Sequence, residues 1–175
     1  MKKVNLKRSL NNKVFEAIAE CVRVAELSGI KIYLVGGIVR DILLKKPLHD
    51  IDITVEGRAK EFVEILDCYV KTKSVKYNEN LPTAKVVFKN GVEIDFASTR
   101  KEFYENFGDL PKITETGCPL EEDIKRRDFT VNTIIISLNK ENLFEILDFA
   151  GGLEDLKKKK LKVGSRKRNT TKKEQ

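Results

Sequence analysis

Asp50 and Asp52 stand one residue apart in "HDIDITV", inside a run of isoleucine, threonine and valine that otherwise reads as a buried strand. Side chains on a strand alternate between faces, so residues i and i+2 share one. Both carboxylates then point the same way, while Ile51 and Ile53 enter the core. Two like charges that close together raise a carboxylate pKa, and a hard divalent cation relieves them. Mg²⁺ suits two carboxylates completed by substrate phosphates. The same pattern also suits an edge strand with two solvent-facing aspartates. Asp95 in "EIDFA" offers a third carboxylate if its strand lies beside residues 50–55. Two metals held by such a trio would clamp an in-line phosphoryl or nucleotidyl displacement.

Two further clusters have types and spacings suited to a nucleotide. Gly36 and Gly37 follow the apolar run "KIYLV" and precede "IVRDILL". Glycine lets backbone N–H groups approach a phosphate, and a helix N-terminus favours the anion. A Gly-Gly pair is equally a plain turn. Arg40, three residues on, offers a guanidinium fork to the same phosphate. "RRDFTVN" supplies Arg126 and Arg127 for phosphate or base contacts. Read as a helix, it places Asp128 and Asn132 at i and i+4, where they could bond ribose hydroxyls. The alternative is an ion-pair network with Glu121, Glu122 and Asp123. His49, the single histidine, is given no role.

The elements that must position these residues follow from periodicity. Val14, Ile18, Cys21, Val22 and Ala25 recur at helical spacing over 11–28, and Gly29 stops the helix. Residues 31–35 read as a strand, 38–44 as a short helix, 50–55 as a strand and 58–66 as a helix. Residues 83–88 and 92–98 flank "KNG", a hairpin signal. Residues 100–119, with two prolines and two glycines, read as a long loop. "LEEDIKRRDFTVNTIIISL" reads as helix then strand, and "GGLEDLKKKK" as a last short helix. The class expected is α/β (α+β), a small mixed sheet flanked by helices.

Length and charge set the outer limits. The 175 residues suffice for one domain, 41% of them hydrophobic and 35% charged. No apolar run reaches the roughly 20 residues of a membrane helix, and the basic N-terminus lacks the apolar stretch of a signal peptide. Three cysteines without a C-x-x-C pair favour reduced thiols in the cytoplasm over a disulfide or zinc framework. The net charge of +7 is concentrated at the end: residues 157–175 hold ten Lys or Arg and one Glu, and the rest of the chain sums to −2. A domain over 1–156 and a flexible basic tail over 157–175 are therefore expected. Such a tail can bind RNA phosphates through counterion release, or stay as solvated chain.

Taken together, these stretches resemble a known family. "YLVGGIVRDILLKKPLHDIDITV" is similar to the first signature of class II tRNA nucleotidyltransferases and bacterial poly(A) polymerases. "ASTRKEFYENFGDLPKI" and "LEEDIKRRDFTVNTI" resemble the signatures that follow, in the same order. "FAGGLEDLKKKKL" resembles the end of that family's head domain. The resemblance covers residues 30–161. It implies a head fold related to DNA polymerase β and Mg²⁺ on Asp50 and Asp52, with Asp95 as third carboxylate. It places Gly36, Gly37, Arg40 and Arg127 at the incoming nucleotide, and Asp128 and Asn132 near its ribose. The reaction implied is transfer of CMP or AMP from CTP or ATP to the 3′ end of tRNA, with release of pyrophosphate. Poly(A) addition is the alternative. In the family, a helical neck with an E-D-x-x-R-x-x-R motif reads the base, and no stretch here matches it. The chain is thus expected to be a fragment, a minimal enzyme, or a head subunit or truncated remnant that binds nucleotide but needs a separately encoded helical neck or body protein for activity.

Overall fold

The computed structural model describes residues 2–106 and 108–164. After a short helix, α1 (Leu6–Ser9), the long helix α2 (Asn12–Ser28) starts where the Asn11 side chain accepts from the Val14 N–H at 2.9 Å. It ends at Gly29, whose φ of 69° is a conformation that glycine adopts without a Cβ penalty. There follow β1 (Lys31–Val35), α3 (Gly37–Leu44), β2 (Asp52–Glu56) and α4 (Ala59–Val70). Next come β3 (Ser74–Tyr77), β4 (Thr83–Val87), β5 (Glu93–Ser98), β6 (Arg100–Phe103) and β7 (Lys112–Thr116). The described chain closes with α5 (Leu120–Lys125), β8 (Ile134–Ser137), β9 (Ile146–Asp148) and α6 (Gly152–Lys157).

Seven strands form one mixed sheet in the order β3-β4-β5-β2-β1-β8-β9. Only the β2–β5 pair is parallel; the other neighbours are antiparallel. Alternation gives the sheet two faces. Ile32, Leu34, Ile53, Val55, Ile94, Phe96, Ile134 and Ile136 join the main core with Ile18, Phe62 and Leu66 of α2 and α4. Phe62 and Phe96 are its largest buried rings, tilted with centroids 5.7 Å apart. On the opposite face Tyr33, Val35 and Ile135 pack under Leu120 and Ile124 of α5. That face is thus roofed over β1 and β8, while its β2–β5–β4 side carries Asp52, Asp95 and Lys85.

The expected mixed α/β class and the 83–98 hairpin are what the chain forms. Two local readings need correction. Residues 100–119 are not a loop: β6 and β7 pair antiparallel with a bulge between Lys101 and Glu102. Few apolar side chains mark this hairpin. Ion pairs do: Lys101 with Glu115 at 2.7 Å and Lys112 with Glu105 at 2.8 Å. "RRDFTVN" is not helical either. Helix α5 stops at Lys125, and residues 130–132 form a single 3₁₀ turn before β8. The β-branched run that follows favours extended chain. Phe129 bridges to Val163, and the Gly164 N–H donates to the Asp128 carbonyl at 2.7 Å. The start of the basic segment therefore runs back along 128–130; residues 165–175 lie outside the described residues.

Helix α6 is seated by backbone contact. Asp148 accepts from the N–H groups of Gly152 (2.8 Å) and Leu153 (3.0 Å). A Cβ at Gly152 would stand 2.2 Å from the Thr130 carbonyl oxygen and 2.8 Å from Ile134 Cγ1. Gly152→Ala should therefore lift α6 off the 130–134 turn. A loss of about 1–3 kcal/mol is expected, the usual cost of overpacking. Thermal or urea unfolding checks it, and an unchanged midpoint would show that α6 can shift freely.

Candidate active site

The site begins where β1 runs into α3. Gly36 turns the chain with φ 76° and ψ −142°, a conformation other residues rarely adopt. The turn lies over β2: a Cβ on Gly36 would stand 3.6 Å from Asp52 Oδ2. Helix α3 then starts at Gly37, with Arg40 one turn in. The Arg40 Nε donates to Asp41 Oδ1 at 2.9 Å, and its side chain is 42% exposed. The glycine turn thus adjoins Asp52, and the helix that follows carries an accessible guanidinium one turn in.

Asp52 opens β2, between Val35 of β1 and Asp95 of β5 in register. The adjacency on which a third carboxylate depends is therefore real. Asp50 lies just before the strand and is exposed, so the pair is not a matched one within a ladder. The alternation that should bury Ile51 and Ile53 does hold. Burial, then the charges of Asp95 and Asp50, push the Asp52 pKa up; Arg127 and Lys85 oppose the rise. Asp95 itself faces Lys85, whose Nζ lies 3.6 Å from Asp95 Oδ2. Among the described residues no three Asp, Glu, His or Cys side chains converge into a metal cluster. Mg²⁺ takes one or two carboxylates together with substrate phosphates rather than an all-protein cage, so the donor set to weigh is Asp52 with Asp50. A half-buried Asp52 under like-charge pressure, beside Asp50, has the hard oxygen donors such an ion needs. His49 is exposed and stays without a role.

A polar cleft of about 340 Å³ is lined by Arg100, Glu102, Tyr104, Arg127, Asp128 and Asn132 among others. The expected trio Arg127, Asp128 and Asn132 is thus brought together, though by an extended segment and a 3₁₀ turn rather than a helix face. Arg127 joins the cleft to the sheet: its Nη2 donates to Thr54 Oγ1 at 3.3 Å and to Asp123 Oδ2 at 3.1 Å. Burial pulls its pKa down, and Asp123 holds it up. The Arg127 Nε is buried without a hydrogen-bond partner.

The sequence reading named Asp123 only as a partner in a surface network. It is fully buried instead. It accepts from Arg126 Nε (2.8 Å), Arg127 Nη2 and the Arg100 backbone N–H (3.0 Å). Arg126 and Arg100 also meet Glu102, at 3.4 and 2.7 Å. The i+3 and i+4 spacing of Asp123 to the two arginines was the available signal. Surface pairs show the same spacing, so burial could not be read from it.

Residues 32–162 match the family described as the Poly A polymerase head domain. An A-adding tRNA nucleotidyltransferase of Geobacter sulfurreducens is 36% identical over 90% of the chain, which spans 18% of that relative. A CCA-adding enzyme of Lactobacillus delbrueckii subsp. bulgaricus is 34% identical over 86% of the chain, which spans 36% of it. Among solved structures, an apo CCA-adding enzyme superposes with a TM-score of 0.84 at 32% identity, over 93% of this chain and 38% of that one. The Thermotoga maritima CCA-adding enzyme complexed with tRNA gives 0.75 at 30% identity, over 93% and 36%.

Two outcomes are expected from this geometry. An aspartate whose folded pKa is raised binds its proton more readily in the native state. It therefore lowers stability as pH rises from its ordinary range through the raised value. Asp52→Asn should then melt higher than wild type at neutral pH without metal, and the gap should close in acid below the ordinary aspartate range. Calorimetry across pH reads this, and a lower melting point at pH 7 would contradict it. Asp123→Ala should cost about 3–5 kcal/mol, because it takes the carboxylate from the largely buried Arg127 guanidinium and leaves Arg126 to Glu102. Urea unfolding measures that loss.

Proposed function

The chain belongs to the Poly A polymerase head-domain family, and from that membership we propose that it is the catalytic head of an enzyme adding CMP, AMP or both to the 3′ end of tRNA. CTP and ATP are the donors and pyrophosphate the product. The observation that carries this reading is the convergence on Asp52: the Gly36 turn above it, Asp95 beside it in register and the Arg127 cleft along the same strand face. The relatives reported above are tRNA nucleotidyltransferases by name, which favours a tRNA end over a poly(A) tail.

The chain's own residues divide the work. Backbone N–H groups at Gly37 and the start of α3 face the triphosphate, where a helix N-terminus favours an anion. Arg40 leaves Asp41 to fork onto a phosphate oxygen. Asp50 and Asp52 hold Mg²⁺, with Asp95 as third carboxylate. Bound there, the metal would lower the pKa of the attacking hydroxyl and offset the triphosphate charge. Asp128 and Asn132 bond the ribose at the cleft, and Arg127 is held by Asp123 as its fixed wall. None of these contacts to phosphate or sugar carries base identity. A helical neck, on a continuation of the chain or on a separate protein, supplies the base reader. The reduced thiols suit a cytoplasmic setting: Cys21, Cys68 and Cys118 are all free.

The test pairs binding with turnover. The chain is incubated with Mg²⁺, single labelled nucleotides and tRNA ending in the discriminator base, C or CC, and nucleotide binding is titrated in parallel. Metal-dependent binding of both CTP and ATP is expected, with a preference below about a hundredfold, roughly 2.7 kcal/mol. Asp52→Ala should abolish it. Wild-type metal-dependent binding or transfer in Asp52→Ala would defeat the assignment.

A further inference from the structure

We infer that Lys85 is a displaceable counter-ion that holds Asp95 away from the metal position and must release it when a divalent cation enters. This deepens the reading above and rests on it. One row crosses the open face of the sheet: Lys76 opposite Lys85, Lys85 opposite Asp95, Asp95 opposite Asp52. Residues directly opposite on neighbouring strands share a face about 5 Å apart. Asp95 therefore sits between a cation and a carboxylate. At 3.6 Å its oxygen is with the cation.

Two positive side chains offset the charge gathered at Asp52, and they differ in kind. Arg127 is buried and fixed by Asp123 and Thr54. Lys85 has a flexible stem, one ion-pair contact and a side chain 49% exposed, against 43% for Asp95. A loose, hydrated pair of this type is worth little and is easily exchanged. Lys76 gives the pair its direction. It is exposed, on the same face, and its like charge repels Lys85 towards Asp95. A divalent cation at Asp52 repels the Lys85 ammonium and attracts the Asp95 carboxylate, so both forces act to exchange the partner. Lys85 is thus a positioning residue, acting on the metal through Asp95.

Mn²⁺ titration followed by electron paramagnetic resonance, with the whole chain and no nucleotide turnover, tests this. Removing the Lys85 charge, which opposes a dication and competes for Asp95, should tighten binding several-fold, up to about tenfold, in Lys85→Met. Lys76→Met, one strand farther out, should change it by less than about threefold. The decisive measurement is the cycle with Asp95→Asn. Because Lys85 competes for Asp95, Asp95→Asn should weaken Mn²⁺ binding in wild type and about two- to fivefold further in Lys85→Met, a non-additive pair whose coupling is the worth of an exposed ion pair. Unchanged Mn²⁺ affinity in Lys85→Met overturns the inference, and so does an additive cycle. Either of those results with Mn²⁺ binding still lost in Asp52→Ala overturns the counter-ion role alone. Mn²⁺ binding that survives in Asp52→Ala overturns the metal assignment beneath it.

Discussion

A single buried charge ties the parts of this head together. Asp123 has no solvent exposure, so its carboxylate depends on protein donors for the solvation it gives up. Those donors come from both sides of the site. Arg126 and Arg127 belong to its own segment, and the Arg100 N–H belongs to the start of the β6–β7 hairpin. Arg127 extends the chain of contacts to Thr54, two residues along β2 from Asp52. A carboxylate on α5 thereby fixes where the hairpin leaves the sheet and where the cleft meets the open face. Removing one member of such a set strands the others, because a buried ion is costly when it loses its partner.

The second constraint is the parallel pairing of β2 with β5. An antiparallel meander could not place these two strands side by side in one direction; a crossover is needed, and α4 with β3 and β4 provides it. The same crossover packs α4 onto the core face through Phe62 and Leu66. One topological step therefore buries one face of the sheet and sets Asp95 against Asp52 on the other. It also brings β4 alongside β5, with Lys85 opposite Asp95. The repulsion among carboxylates and the nearby lysine that offsets it arise from the same register.

The core of this arrangement was legible in the sequence because period and chemistry agreed. Ile51 and Ile53 alternate with aspartates, Ile94 and Phe96 alternate around Asp95, and both patterns match the observed faces. Gly29 and Gly36 marked turns that do require a positive φ. Where the two signals parted, the reading failed. The β6–β7 hairpin is charged, with Lys101 paired to Glu115 across the strands and Lys112 to Glu105 in the connection, and charged residues leave no hydrophobic period to detect. "RRDFTVN" has charges at helical spacing, but its backbone is committed to residues 162–164, a contact far along the chain. The short strands β3 and β9 went unread because each has only a few residues and borrows its order from a neighbour. The placement of Asp95 beside Asp52 could be posed from sequence but not decided, since register between distant strands is a tertiary property.

The symmetry of Asp-Ile-Asp in the sequence is lost in the fold, and the difference bears on what each carboxylate can do. Asp52 is held in the ladder on both sides, by β1 and by β5, so its backbone has little freedom. Asp50 precedes the strand and is exposed, free of that register. Site geometry is most precise on residues fixed by regular structure. Asp52 is therefore the most firmly placed of the three carboxylates, with the Gly36 turn over it and Arg127 bonded to Thr54 two residues along the strand. Asp50 and Asp95 are the adjustable members, one because its backbone is outside the ladder, the other because its side chain has a second partner in Lys85. A site with one fixed and two adjustable oxygens need not be assembled before its ligand arrives. It avoids holding three unscreened carboxylates together, the arrangement that like-charge repulsion makes most costly. Under the proposed function, closure of the carboxylates around a cation would draw on the charge that the cation and the triphosphate themselves bring.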